Sequence, residues 1–140
     1  MSREITLTVL VPVYNEEATI IEVLEQVSRV SIDNVRFEVV VVDDGSKDRT
    51  VERLRERRDL YTHLIALPKN GGKGAAVRAG LAAATGDYVV FQDADLEYDP
   101  VEYKKLMIPV QRFNADVVMG SRFLSPEYTR VHYFFHKVGN

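Results

Sequence analysis

The 140-residue chain has no cysteine. That excludes disulfides, zinc–thiolate centres and cysteine nucleophiles. It leaves the redox compartment open, and a reducing cytosol fits. The chain also lacks a basic excess: 18 Lys and Arg against 21 Asp and Glu give a net charge of −3. Nucleic-acid binding, which needs many phosphates neutralised, has no electrostatic source here. No stretch reaches the ~20 apolar residues of a membrane span, and Met1-Ser2-Arg3-Glu4 opens no apolar signal segment. The three histidines, His63, His132 and His136, are too scattered to share one metal.

Several loops that would mark other chemistries are missing too. The first strand is followed by Pro12-Val13-Tyr14-Asn15-Glu16-Glu17, where a dinucleotide site needs Gly-x-Gly-x-x-Gly. Gly72-Lys73 runs into Gly74, where a phosphate-binding Walker loop needs Ser or Thr. A calcium-binding EF-hand loop begun at Asp93 would carry Tyr98 in place of its glycine and Lys104 in place of its final glutamate. No Gly-x-Ser-x-Gly elbow supplies a hydrolase nucleophile.

What is present suits one globular domain over residues 1–140, with 46% apolar and 28% charged residues. Apolar, β-branched runs predict strands over Ile5 to Val11, ended by Pro12, over Phe37 to Val42, His63 to Leu67, Tyr88 to Phe91, and Ala115 to Met119. The four consecutive valines of the second run suit a parallel strand covered on both faces. Helical spacing fills the intervals: Thr19 to Val30, with Ile20, Leu24 and Val27 on one side; a charged helix to Arg58, capped by Ser46 or Asp48; Ala75 to Ala84, whose small residues permit close approach to a sheet; and a helix from Pro100 with Val101, Leu106 and Val110 inward. A further apolar helix is expected to begin at Tyr133, Phe134, Phe135 and Val138. Strand–helix alternation of this kind implies a doubly wound, mostly parallel sheet with helices on both faces.

In such a sheet, ligands bind beyond the carboxyl ends of the strands. The loops 12–17, 43–48, 93–99 and 120–125 should gather there. Asp93, Asp95 and Glu97 follow a strand at intervals of two and point the same way. Crowded carboxylates repel unless a cation joins them, and a hard divalent ion with oxygen ligands is the natural candidate. Glu16, Asp43, Asp44 and Arg122 come from the neighbouring loops. Each feature alone has a plain structural reading: Asp-x-Asp and Asp43-Asp44-Gly45-Ser46 as turns with helix caps, the Gly71–Gly74 stretch as a flexible connector with Lys73 solvated, Arg122 as a surface ion pair. Their order around one edge gives the combination its force.

Taken together, Val11-Pro12-Val13-Tyr14-Asn15-Glu16, Val41-Val42-Asp43-Asp44-Gly45-Ser46, Lys69-Asn70-Gly71-Gly72-Lys73-Gly74, Gln92-Asp93-Ala94-Asp95 and Gly120-Ser121-Arg122 resemble the family 2 glycosyltransferases of the GT-A fold. The likeness covers nearly the whole chain and is closest to the polyprenyl-phosphate sugar transferases, dolichol-phosphate mannosyltransferase among them. It implies inverting transfer of a sugar from a UDP- or GDP-linked donor to an acceptor such as a polyprenyl phosphate, at the cytoplasmic face of a membrane. It implies nucleotide contacts at Pro12, Tyr14, Glu16, Val42, Asp44, Asp93 and Ala94, Mg2+ or Mn2+ at Asp93, Asp95 and Glu97, and phosphate contact at Arg122. Glu97 stands where the mannosyltransferases often have Gln, and His136 falls near where they place another arginine.

No residue is assigned as catalytic base, because family members usually continue past the fifth strand to build the acceptor side. Truncation at the C-terminus is the corresponding expectation. The aromatic run Tyr133-Phe134-Phe135 offers a surface for self-association or membrane contact. A nucleotide-sugar-binding or assembly module without turnover is the alternative. A sugar nucleotidyltransferase is disfavoured by the absence of glycines at Pro12-Val13-Tyr14.

Overall fold

The computed structural model describes residues 3–119 and 133–136. Its centre is a pair of long parallel strands, β1 (Ile5–Val13) and β2 (Val35–Asp43), in register from Ile5 opposite Val35 to Val13 opposite Asp43. Strand β3 (His63–Ala66) pairs parallel to β2 at the sheet edge, and β4 (Tyr88–Phe91) pairs parallel to β1 on its other side. Two strands complete the order β3-β2-β1-β4-β6-β5: β5 (Val117–Met119) and β6 (Tyr133–His136).

Period-two alternation sends successive side chains to two cores. Leu7, Val9, Val11 and Val13 of β1 pack with helices α1 (Ile20–Ser28), α2 (Thr50–Glu56) and α4 (Tyr103–Phe113) through Ile20, Leu24, Leu54, Tyr103 and Met107. Leu10, with Val40, Val42 and Val89, packs on the other face with Ala76 of α3 (Lys73–Ala83). Both faces are covered, so the strands read as continuous apolar runs. The small-residue helix lies close to the sheet as expected: a Cβ at Gly80 would stand 2.6 Å from Leu10 Cδ1.

Four expectations need correction. Pro12 does not end the first strand, which continues to Val13. Leu10 O accepts from Gln92 N on the β4 side, and Val13 O accepts from Asp44 N on the β2 side. Pro12 therefore turns its donorless nitrogen toward β4, whose pairing stops at Phe91, and no ladder bond is lost. Val101 is half exposed, since Pro100–Glu102 is a 3-10 turn whose phase differs from α4; Tyr103, Leu106, Met107 and Val110 form the buried side. The charged helix stops at Glu56, and a separate 3-10 turn, Arg58–Leu60, follows it. The expected apolar helix at Tyr133 is instead β6, antiparallel to both β4 and β5. A short aromatic run has no period of its own, and two open strand edges decided its conformation.

At the amino-terminal end, Glu38 is buried and ties three segments together. It accepts from the Thr8 hydroxyl at 2.7 Å, from Thr85 N at 2.8 Å and from the Thr85 hydroxyl. Burial alone would raise its pKa, but the bonds from Thr85 and Thr8, with His63 nearby, outweigh burial and hold it below the usual carboxylate value. The depressed folded pKa contributes stability above the unfolded value of 4.5, lost as pH falls through the folded pKa. Glu38→Ala should lower stability by about 2–3 kcal/mol at neutral pH, since several buried groups lose their partner. In urea melts, the gap between parent and variant should narrow below pH 4.5; a constant gap would remove the ionised carboxylate from the account.

Candidate functional site

The four parallel strands β1 to β4 end on one edge of the sheet, and their loops meet there. Each loop is fixed to a neighbour. Ser46 Oγ accepts from Asn15 N at 2.8 Å, and Asn15 Oδ1 accepts from Lys47 N at 2.8 Å, so the β1 and β2 loops are stitched reciprocally. Asp48 accepts from Thr50 N at 2.9 Å and from Glu17 N at 3.3 Å. Burial would raise the Asp48 pKa, but the Thr50 hydroxyl and amide bonds outweigh it and keep the carboxylate ionised. The N-cap position of α2 is Arg49, which makes no side-chain cap bond, so neither expected residue stands at the cap; Asp48 accepts from Thr50 N from one position earlier, and Ser46 serves the β1 loop.

The β2 and β3 loops dock on each other. Both oxygens of the buried Asp44 carboxylate are occupied, Oδ1 by Gly71 N at 2.8 Å and Oδ2 by Gly72 N at 2.9 Å. Asn70 Nδ2 donates to Asp44 O at 3.2 Å. The contact is close enough that only glycine fits at position 45, where φ is +75° and a Cβ would stand 2.5 Å from Asn70 N. The glycine-rich stretch is thus a loop held by a carboxylate, which corrects its reading as a free connector.

These loops enclose a cleft of about 270 Å³ lined by Pro12, Val13, Tyr14, Glu16, Asp44, Lys73, Ala76, Asp93, Ala94 and Asp95. Seven of the residues expected at a site stand here: Pro12, Tyr14, Glu16, Asp44, Asp93, Ala94 and Asp95. Val42 does not; its side chain is fully buried under α3. Glu97 is exposed outside the lining and donates its backbone N–H to Asp95 Oδ1 at 3.1 Å. Arg122 lies outside the described residues. The His136 backbone pairs with Tyr88 at the start of β4, the far end of the strand from Asp93, which removes it from this edge.

Lys73 is the residue that the sequence reading missed. Its ammonium donates to Asp93 Oδ1 at 2.7 Å across the cleft. The available signal was the third strand: if β3 is parallel, its following loop and the first turn of α3 must reach the same edge. Gln92 was also passed over. It is fully buried, and its side chain bonds to Asp93 O and Tyr98 O.

Asp93 and Asp95 are hard oxygen donors suited to Mg2+ or Mn2+. Among the described residues no three His, Cys, Asp or Glu side chains gather as a metal cage. Of the three carboxylates expected to meet a cation, Asp93 and Asp95 line the cleft and Glu97 lies outside its lining. Two protein carboxylates, with phosphate and water oxygens completing the shell, is a donor set that fits such a cation. A larger cleft of about 400 Å³ lies at the opposite edge, around Arg3, Asn34, Asp87 and Asn114. Within its lining, Arg3 is paired with Asp87 at 2.9 Å. No helix among the described residues is long and apolar enough to cross a membrane.

Residues 8–135 match the family described as glycosyl transferase family 2. A dolichyl-phosphate beta-glucosyltransferase of Trichomonas vaginalis is 38% identical over 151 residues, covering 94% of this chain and 44% of its own length. A dolichol-phosphate mannosyltransferase of Pyrococcus furiosus is 34% identical over 118 residues, covering 84% of this chain and 33% of its own length. Among solved structures, glucosyl-3-phosphoglycerate synthase from Mycobacterium tuberculosis, in complex with Mn2+, UDP and glucosyl-3-phosphoglycerate, superposes with a TM-score of 0.72 at 26% identity, over 94% of this chain and 57% of that one. The chain thus spans less than two thirds of each of these relatives, and its fold is the GT-A fold of its structural neighbours.

Proposed function

The chain belongs to glycosyl transferase family 2, and from that premise we propose that it is the donor-binding part of an inverting transferase, moving a sugar from a nucleoside diphosphate to a polyprenyl phosphate. The observation that carries this reading is the cleft itself. It joins an Asp-x-Asp pair, a buried and anchored Asp44, an exposed Tyr14 ring and a lysine at the edge where the strands end.

The nucleoside end is assigned to Tyr14, Glu16 and Asp44. Asp44 is held rigid by two glycine amides and keeps lone pairs that can accept from a base. Pro12 and Ala94 give the cleft wall its shape. Val42, buried two residues before Asp44, supports the loop from behind. The diphosphate end is assigned to Asp93 and Asp95 through Mg2+ or Mn2+, with Arg122 as a further phosphate contact. When bound, the cation acts as a Lewis acid toward the charge that grows on the leaving diphosphate.

The chain's own groups do the rest. Lys73 releases Asp93 and turns its ammonium to the phosphates, a preorganised charge where charge develops. The C1–O bond to the diphosphate breaks with its electron pair leaving on oxygen, and an acceptor oxygen attacks from the opposite face. A phosphate acceptor is ionised at neutral pH and needs little help from a base.

Transfer of radiolabelled sugar from UDP- or GDP-linked donors to polyprenyl phosphate tests the reading. Product with an inverted anomeric centre supports it. Metal-dependent donor binding without transfer supports the binding module instead. Lys73→Met should weaken UDP binding about tenfold, the loss of one charge-assisted phosphate contact, with thermal stability near the parent's because Lys73 is exposed. Unchanged affinity would leave Lys73 as a surface ion pair.

A further inference from the structure

We propose that Gln92 and Tyr103 form a positioning pair that holds the acidic loop 93–98 in the geometry that presents Asp93 and Asp95 to the cleft; the proposal rests on the reading of that cleft as the diphosphate site. Neither residue lines the cleft, so each acts through the loop.

Gln92 is the first residue after β4. Its backbone N–H still reaches Leu10 O at 2.9 Å, so its position is fixed by the sheet. Its side chain is fully buried and reaches both ends of the loop. Nε2 donates to Asp93 O at 3.1 Å and to Tyr98 O at 3.2 Å. The amide oxygen accepts from the Tyr103 hydroxyl. Both amide protons and the carbonyl are thus in use, an arrangement that a carboxylate, a hydroxyl or an apolar side chain could not reproduce. Burial, with Asp99 nearby, pushes the Tyr103 hydroxyl well above its ordinary pKa, so it stays a donor at any physiological pH.

The loop needs such a clamp. Leu96 sits at φ 65°, a left-handed conformation that a branched side chain disfavours. It is more than a third exposed, so little packing offsets the strain. Strain of this kind persists only where the surroundings over-determine it. Here the surroundings are the two bonds from Gln92, the Thr19 hydroxyl donating to Ala94 O at 2.5 Å, and Asp95 Oδ1 accepting from Glu97 N at 3.1 Å. Of these, only the Gln92 amide joins the two ends of the loop.

A core-filling role predicts a different outcome from a positioning role, and Gln92→Met, Tyr103→Phe and their double variant separate the two. Gln92→Met takes the Gln92 bond from the buried Tyr103 hydroxyl and from two loop carbonyls, and Tyr103→Phe takes the hydroxyl from the buried Gln92 carbonyl, whereas the double variant removes both members of the hydroxyl–amide pair. The double variant should melt above Gln92→Met. Its Mn2+-dependent affinity for UDP, measured by calorimetry, should nonetheless stay about tenfold or more below the parent's, the usual loss when an outer support of a metal ligand is removed. Hydrogen exchange of the 93–98 amides should be faster in Gln92→Met and in the double variant alike. Tyr103→Phe, the mildest change, keeps the fold and should show the same direction.

Parental affinity in the double variant would overturn the proposal alone. Parental exchange of the loop would overturn it whatever the affinity. If the parent itself shows no metal-dependent binding, the diphosphate reading fails. Faster loop exchange in the variants would then still support the clamp.

Discussion

Asp95→Ala leaves the chain folded and removes its metal-dependent nucleotide binding. Asp95 is exposed at the tip of the acidic loop, and its carboxylate accepts from Glu97 N at 3.1 Å. Losing an exposed bond of this kind costs about 1 kcal/mol or less. The effect on binding is of another order. Asp93 and Asp95 are the two carboxylates of the lining assigned to the cation, so the substitution removes one of its two protein ligands. Removing an outer support of a metal ligand already costs about 10–100-fold in affinity, so removing a ligand should cost at least about 100-fold. Calorimetric titration of UDP with Mn2+ present, beside a thermal melt, checks both halves. A variant that binds as the parent does would show the metal assignment to be wrong. Asp93 is the less clean target, because its loss also strands the Lys73 ammonium that it holds at 2.7 Å.

Gly45→Ala has the largest expected effect on stability. Two penalties add at this position. The backbone is left-handed at φ +75°, and the new methyl would stand 2.5 Å from Asn70 N and 2.7 Å from Lys69 C. Both neighbours are backbone, so no side chain can swing away. The β3 loop must retreat, which withdraws Gly71 and Gly72 from a buried Asp44 carboxylate. Strain of about 1–3 kcal/mol with the loss of charge-assisted bonds predicts a total near 3–4 kcal/mol by urea denaturation. Nucleotide affinity should fall with it, since Asp44 is no longer anchored. A variant as stable as the parent would mean that the two loops are not docked as described. By contrast, nothing lies within 4 Å of a Cβ at Gly72, where only its φ of +90° resists substitution.

Most of the fold was legible because its signals are local. Four valines in a row suit a strand covered on both faces, and Val39 to Val42 are all buried. The strand end made Asp93 and Asp95 legible, and both line the cleft, but the same spacing of two does not carry Glu97 there, because Leu96 turns the backbone left-handed before it. The misses share a different physics. Pro12 marks a strand end in isolation, yet here its nitrogen faces a side where the neighbouring strand has already stopped. Tyr133 to His136 form a strand because of two partners distant in sequence. Lys73 reads in isolation as a solvated residue, but it reaches Asp93 twenty residues away through the parallel pairing of β3. Gln92 stood inside a quoted motif without a role, because what it does depends on carbonyls and a hydroxyl brought to it by the turn into α4. Asp44 was read as a partner for a base; in the structure it is first the anchor of the glycine loop, and the two roles are compatible in a carboxylate with several acceptor sites.

The central claim is that the carboxyl-edge cleft holds a nucleoside diphosphate through a cation on Asp93 and Asp95. Titrating UDP and GDP into the chain with Mn2+, and again with the metal chelated, tests it most directly. The account predicts saturable binding of at least one nucleotide with Mn2+ and loss of that binding on chelation. Equal binding in both conditions, or none in either by a folded chain, would contradict it.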